Sequence, residues 1–241
     1  MKLHKSLALL ALCLPLLAPA NEAVIRKNLA DKLTGFPKID EVKPSAMPGL
    51  WEVRIGSEIR YTDPTGSFLI EGDLFDLKTM RNLTQARVDE LNRIDFATLP
   101  LKDAIVWKTG TGARKIAVFA DPNCGYCKMF EKSLQGAKDL TVYTFLIPIL
   151  GGDSPEKARS IWCAKEPVAT WKSWMIDAKP FAKQMAACDD SALKRNLDLA
   201  RRFHINGTPG VFFEDGSRTP GALTLEQLER RLTSLGKTDK G

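Results

Sequence analysis

Hydrophobic positions change their spacing along this chain, and each change marks an element. Val24, Ile25, Leu29 and Leu33 recur at near-helical intervals until Gly35, Pro37, Pro44 and Pro48 interrupt them, which predicts a short helix and then a loop. Trp51, Val53 and Ile55 alternate with Glu52 and Arg54, Ile59 and Tyr61 follow, and Asp63-Pro64-Thr65-Gly66 turns the chain into Ser67-Phe68-Leu69-Ile70. That is the pattern of a small antiparallel meander. So few strands with one helix bury little area and leave edges open, so this region is expected to need a covering surface. A second copy of the chain is the natural candidate, and the chain's own larger domain is the alternative.

From Asn82 to Phe96 the pattern is a charged helix, with Leu83, Ala86, Val88, Leu91 and Ile94 set among Arg, Asp and Glu, Thr84 available as an N-cap and Pro100 beyond its end. It reads as a linker helix over residues 81–100, or equally as a helix lying on a domain surface. A second domain is expected from Leu101 to the end. Its order is a strand at Lys115 to Ala120, a helix, a strand at Thr141 to Ile147, a helical region from Pro155 to about Arg202, and then Gly207-Thr208-Pro209-Gly210 leading into Val211-Phe212-Phe213. A hairpin returns after Glu214-Asp215-Gly216. Thr224 and Gln227 form a capping box for a last helix striped with Leu225, Leu228, Leu232 and Leu235. The fold class is α+β: a thioredoxin-like C-terminal domain with a helical insertion, a small N-terminal α+β dimerisation domain over residues 21–80, and a linker helix between them.

The candidate chemistry is Cys124-Gly125-Tyr126-Cys127. It follows the apolar run Ile116 to Ala120 and precedes Met129, Phe130 and Leu134 at helical spacing. Two sulfurs at i and i+3 on a helix start can close a small disulfide ring, and the helix N-terminus stabilises the first as a thiolate. The thiolate is the form that attacks disulfides.

Compartment bears on whether such a pair is redox-active or half of a metal site. Lys2 and Lys5, the apolar Leu7 to Leu17, and Ala18-Pro19-Ala20 before Asn21 read as a secretory signal over residues 1–20 that is cleaved. Cys13 leaves with it, and bulky Leu12 before Cys13 argues against a lipoprotein. Of five cysteines four then remain, an even number suited to an oxidising compartment. The 241 residues suffice for one large domain or for one small and one medium domain. The formal charge is +6, with basic residues scattered among acidic ones, so no nucleic-acid footprint is expected.

Together, the exported N-terminus, the small first region with its helical linker, Phe119 to Cys127, Ile161-Trp162-Cys163-Ala164-Lys165, Ala187-Cys188-Asp189 and Gly207-Thr208-Pro209 resemble the periplasmic disulfide-isomerase family of DsbC and DsbG over nearly the whole chain. The resemblance implies that Cys124 is the nucleophile and Cys127 the resolving thiol. It also implies that Thr208-Pro209 carries a cis peptide bond facing the dithiol, and that Cys163 and Cys188 form a structural disulfide. Gly125, Tyr126, Thr208 and Pro209 are the expected substrate-contacting residues. It further implies a periplasmic homodimer without cofactor or metal, acting on misfolded or mis-oxidised exported proteins and kept reduced by a membrane thiol reductant of the DsbD type. Gly210 departs from the alanine expected after the proline and is a candidate for loosening that turn.

Other readings stay in view. Zinc held by Cys124, Cys127, Cys163 and Cys188 is disfavoured because Cys163 and Cys188 lack the close pairing of structural zinc sites. A Cys-His protease is disfavoured because His204, the only histidine after the signal, sits near a helix end. Three functions follow from the dithiol context: a disulfide isomerase and reductase, a polypeptide-binding chaperone whose redox role is secondary, or a dithiol oxidase.

Overall fold

The computed structural model describes residues 18–183 and 187–238. The chain divides into two compact units between Val88 and Asp89. The expected signal lies mostly outside the described residues, and its expected cleavage site falls in the first turn of a helix.

That helix, α1 (Ala18–Lys32), opens the N-terminal unit and is followed by β1 (Glu41–Pro44), β2 (Trp51–Ile55), β3 (Glu58–Thr62), β4 (Leu69–Ile70), β5 (Phe75–Asp76), β6 (Arg81–Asn82) and α2 (Leu83–Leu91). The first four strands form an antiparallel sheet in sequence order, with Val53 opposite both Val42 and Arg60. Ile25 and Leu29 of α1 pack on Val42, Trp51 and Val53, so the alternation in β2 presents one face to α1. Its other face meets α2: Arg87 donates to Glu52 at 3.1 Å, and the Tyr61 and Thr84 hydroxyls are 2.6 Å apart. The turn at Asp63 is fixed by its carboxylate, which accepts the N–H groups of Thr65, Ser67 and Phe68. Against the cost of burial, the Thr65 hydroxyl and these amides bring the Asp63 carboxyl down to about 2. Phe68 and Ile70 around edge strand β4, and Phe75, Leu77 and Met80 around the β5–β6 hairpin, are large, apolar and exposed.

In the C-terminal unit come β7 (Ile105–Lys108), β8 (Arg114–Ala120), α3 (Gly125–Leu134), β9 (Leu140–Leu146), α4 (Ser154–Trp162), α5 (Pro167–Asp177), α6 (Ser191–Arg202), β10 (Gly210–Phe213), β11 (Arg218–Pro220) and α7 (Leu225–Thr238). The sheet order is β11-β10-β8-β9-β7, with β8 and β9 parallel and every other pair antiparallel. Central β8 is buried on both faces, which is why its apolar residues run without interruption. Ile116 and Val118 join Phe130, Leu134, Trp171 and Leu228 on one side, while Ala117 and Phe119 join Phe145, Ala200 and Phe212 on the other. The capping box closes as its sequence requires, Thr224 and Gln227 each accepting the other's backbone N–H.

Several elements differ from the sequence reading. The helix expected over Asn82 to Phe96 ends at Leu91, because Ile94, Phe96 and Leu99 pack into the core of the C-terminal unit. Ile94 donates its N–H to the Gly216 carbonyl at 3.0 Å. At Gly216, whose φ is +78°, a Cβ would stand 2.0 Å from the Ile94 carbonyl oxygen, so only glycine admits this approach. The helical region beyond Pro155 is three helices, α5 starting at Pro167 and ending on left-handed Ala178. Strands β1, β5, β6 and β7 are additions to the expected set.

Candidate active site

Strand β8 delivers Asp121 into the interior at the root of the Cys124 turn. The Asp121 carbonyl accepts the Cys124 N–H at 3.1 Å and its carboxylate accepts the Asn123 N–H at 2.7 Å, so the turn leaves Cys124 as the N-cap of α3. From there the buried face of the helix is Cys127, Phe130, Glu131 and Leu134, with Met129 outside. Gly125 has open space around it and Tyr126 is exposed.

Opposite the helix start, the Thr208-Pro209 peptide bond is cis. Cys124 Sγ lies 3.2 Å from the Thr208 carbonyl oxygen and accepts the Cys127 N–H at 3.4 Å. The enclosed Thr208 hydroxyl has no well-formed hydrogen bond, yet it lies close enough to both sulfurs to favour their thiolate forms. Gly210 is paired through its backbone with Phe119 and Pro220, and a Cβ on it would meet Ile205 Cγ2 at 3.3 Å. Glycine at this position relieves a tight contact within an ordered strand.

The two thiols are electrostatically unequal. The Cys127 thiol and, with burial opposing, Thr208 and the N–H groups of Cys127 and Tyr126 bring Cys124 down to about 5. Burial, reinforced by the neighbouring Cys124 sulfur, pushes Cys127 far up. At neutral pH the pair therefore holds one proton, on Cys127, and one negative charge, on Cys124. Such a site can attack a disulfide and hold the resulting mixed disulfide.

Residues 17–85 match the family described as the disulfide bond isomerase protein N-terminal domain, and residues 101–236 match the thioredoxin-like domain family. The probable thiol:disulfide interchange protein DsbC of Bordetella parapertussis is 40% identical over 216 residues, spanning 89% of this chain and 76% of the relative. The chain belongs to the DsbC family. DsbC of Dickeya dadantii is 30% identical over 223 residues, spanning 89% of this chain and 87% of that protein. The crystal structure of a disulfide interchange protein from Neisseria gonorrhoeae superposes with a TM-score of 0.53 at 34% identity, covering 56% of this chain and 97% of that one. As a DsbC-family protein the chain is a thiol:disulfide interchange enzyme with a thioredoxin-like domain.

Among the described residues the remaining cysteines, Cys163 and Cys188, are bonded to each other across 25 residues, linking the end of α4 to the segment before α6. Their pairing withdraws two of the four thiolates a zinc site would need. His204 is exposed with φ +51°, and its carbonyl accepts the Arg218 guanidinium at 3.1 Å. Among the described residues no helix is long and apolar enough to cross a membrane.

Sequence reasoning gave no role to two buried acids of this DsbC-type site. Asp121 also accepts the Leu150 N–H at 2.9 Å and the Ser154 hydroxyl at 2.6 Å. Its signal was an acidic residue ending an apolar strand. Glu131, one turn past Cys127, accepts Trp171 Nε1–H at 2.7 Å through Oε1 and has no partner at Oε2. Burial raises its carboxyl to about 7, with the Trp171 hydrogen bond and Lys172 opposing. The sequence reading did not single out Glu131, although four residues past Cys127 it falls on the helix face of Phe130 and Leu134.

Proposed function

We propose that this chain is a homodimeric periplasmic disulfide isomerase and reductase, exported by a cleaved N-terminal signal, in which Cys124 is the nucleophile and Cys127 the resolving thiol. The observation that carries this reading is the geometry of two free cysteines at the head of α3, where Cys124 Sγ takes the Cys127 N–H beside the Thr208 carbonyl. The Cys124 thiolate attacks a substrate disulfide, forming a mixed disulfide and releasing one substrate thiolate. A second substrate thiol can then displace Cys124, leaving a rearranged substrate and the enzyme's dithiol unchanged. Alternatively Cys127 displaces it, giving reduced substrate and an oxidised enzyme that a membrane thiol reductant of the DsbD type returns to the dithiol. The Thr208 backbone beside Cys124 Sγ offers an extended substrate segment a place to pair, with Gly125, Tyr126 and Pro209 at its margins.

Dimerisation is assigned to the N-terminal unit. Its exposed Phe68, Ile70, Phe75, Leu77 and Met80 and its short edge strand favour burial against a second copy. The residues from Asp89 onward then constitute the catalytic unit, of which Cys163–Cys188 is a structural cross-link.

Reactivation of scrambled ribonuclease by the reduced protein, with light scattering for oligomeric state, tests the reading. A dimer that restores activity, and a Cys124→Ala variant that remains dimeric and restores none, are expected. Reshuffling that survives Cys124→Ala would overturn the assignment of the nucleophile. A native protein that oxidises simple dithiols but reactivates nothing would make the chain an oxidase.

A further inference from the structure

Between β9 and α4 the chain forms a loop, Pro148 to Asp153, that the dithiol mechanism leaves unused. It is anchored at several points. Ile149 donates its N–H to the Ile147 carbonyl at 2.9 Å, Leu150 donates to Asp121 Oδ2 at 2.9 Å, and Ser154 donates its N–H to the Gly151 carbonyl at 3.1 Å. Asn123, the residue before Cys124, donates its side-chain amide to Asp153 at 2.8 Å and accepts Lys157 Nζ at 2.8 Å. The fully buried Asp121 carboxylate thus joins the loop to the turn that presents the nucleophile, taking Asn123 N–H on one oxygen and Leu150 N–H on the other.

Yet this fixed loop shows water two aliphatic side chains, Ile149 at 38% and Leu150 at 54% exposure. The helix start adds Tyr126 at 66% and Met129 at 59%. Gly151 and Gly152 both have positive φ with nothing near a would-be Cβ, so the loop tip is open. Aliphatic surface held in place by hydrogen bonds gains free energy only when something covers it, and Asp121 ties this loop to the Asn123 turn that immediately precedes the Cys124 sulfur.

Building on the dithiol function proposed above, we infer that Ile149 and Leu150 are specificity-determining residues that cover an apolar side chain flanking the substrate's cysteine. The occupant is an unfolded polypeptide. Its core cysteines lie among aliphatic and aromatic neighbours, whereas cysteines of a finished surface do not. Preference for the former would direct the enzyme to misfolded chains.

Two symmetrical peptide disulfides test this, identical except for leucine or serine on both sides of the cysteine. In single turnover the reduced full-length enzyme converts one peptide disulfide to two peptide thiols as Cys124 and Cys127 become a disulfide, and chromatography follows the release. The native enzyme is expected to favour the leucine peptide by roughly tenfold in second-order rate constant, what partial cover of one aliphatic side chain supplies. In the Ile149→Ser/Leu150→Ser double variant that ratio should fall below about threefold, with the fold verified by its urea midpoint. A native ratio near one, a ratio unchanged in the variant, or an equal fall of both rates would overturn the inference while leaving the dithiol function intact. Failure of the native enzyme to reduce either peptide would overturn the dithiol function as well.

Discussion

Cys124 and Cys127 lie three residues apart at the head of one helix and remain free thiols, whereas Cys163 and Cys188, 25 residues apart, are bonded across two segments. The first pair stabilises little and reacts. Its chemistry comes from the Cys127 thiol and backbone N–H groups aimed at one sulfur and burial around the other, which give the two thiols opposite shifts. The second pair, bonded to each other, has no thiol to titrate. It acts on the unfolded chain by removing loop entropy, worth about 3–4 kcal/mol for a loop of this length. Reactivity of a cysteine pair is therefore a property of the amides and burial around it, and stabilisation is a property of the chain length between its members.

The widest separation between the pairs is in acidity. Alkylation of reduced protein should show one thiol ionising with a midpoint of about 5, while the second stays unreactive well past neutral pH. Relative to an ordinary cysteine near 9, Cys124 is then roughly 10⁴-fold more acidic. Because its folded value is depressed, the resulting stabilisation of the reduced protein is complete above pH 9 and lost as pH falls to about 5. A midpoint above 8 would erase the distinction between this pair and any two surface thiols.

Replacing the other pair, Cys163→Ala with Cys188→Ala, should lower the unfolding free energy of the C-terminal unit by about 3–4 kcal/mol in urea titration. The Cys124 midpoint should stay where it is. Movement of that midpoint would show that the cross-link shapes the reactive turn.

A finer test uses Glu131, which is buried beneath the reactive pair's helix and raised to about 7. A carboxyl whose folded value lies above its unfolded value stabilises the fold below pH 4.5, and that contribution disappears as pH rises through 7. In the oxidised protein, where Cys124 no longer titrates, native stability should fall by about 3 kcal/mol at most between pH 5 and 8, and Glu131→Gln should flatten the slope. Equal slopes in the two proteins would show that Glu131 does not carry this titration.

What could be read from the sequence was what depends on neighbours in the chain. Strand β8, the Cys124 helix start, the β10–β11 hairpin and the α7 capping box all advertise themselves within about ten residues. Strand β1 escaped because only Val42 of its four residues points into the core and Pro44 masks the rest. The helix after Asn82 was extended too far because its end is decided by Gly216, more than a hundred residues away. Asp121 was visible as a letter but not as a hub, since Leu150 and Ser154 reach it from across the sheet.

The depth at which Cys127 is buried acts as a clock. In the mixed disulfide the Cys124 charge has gone, but the apolar packing that withholds Cys127's proton persists, so its thiolate remains scarce and its attack slow. During that delay the substrate's own thiols, tethered by the covalent link, have repeated chances to find their native partner. Under the mechanism proposed above, how long a bound substrate can search before it is released reduced is thus set by how little water reaches one sulfur atom.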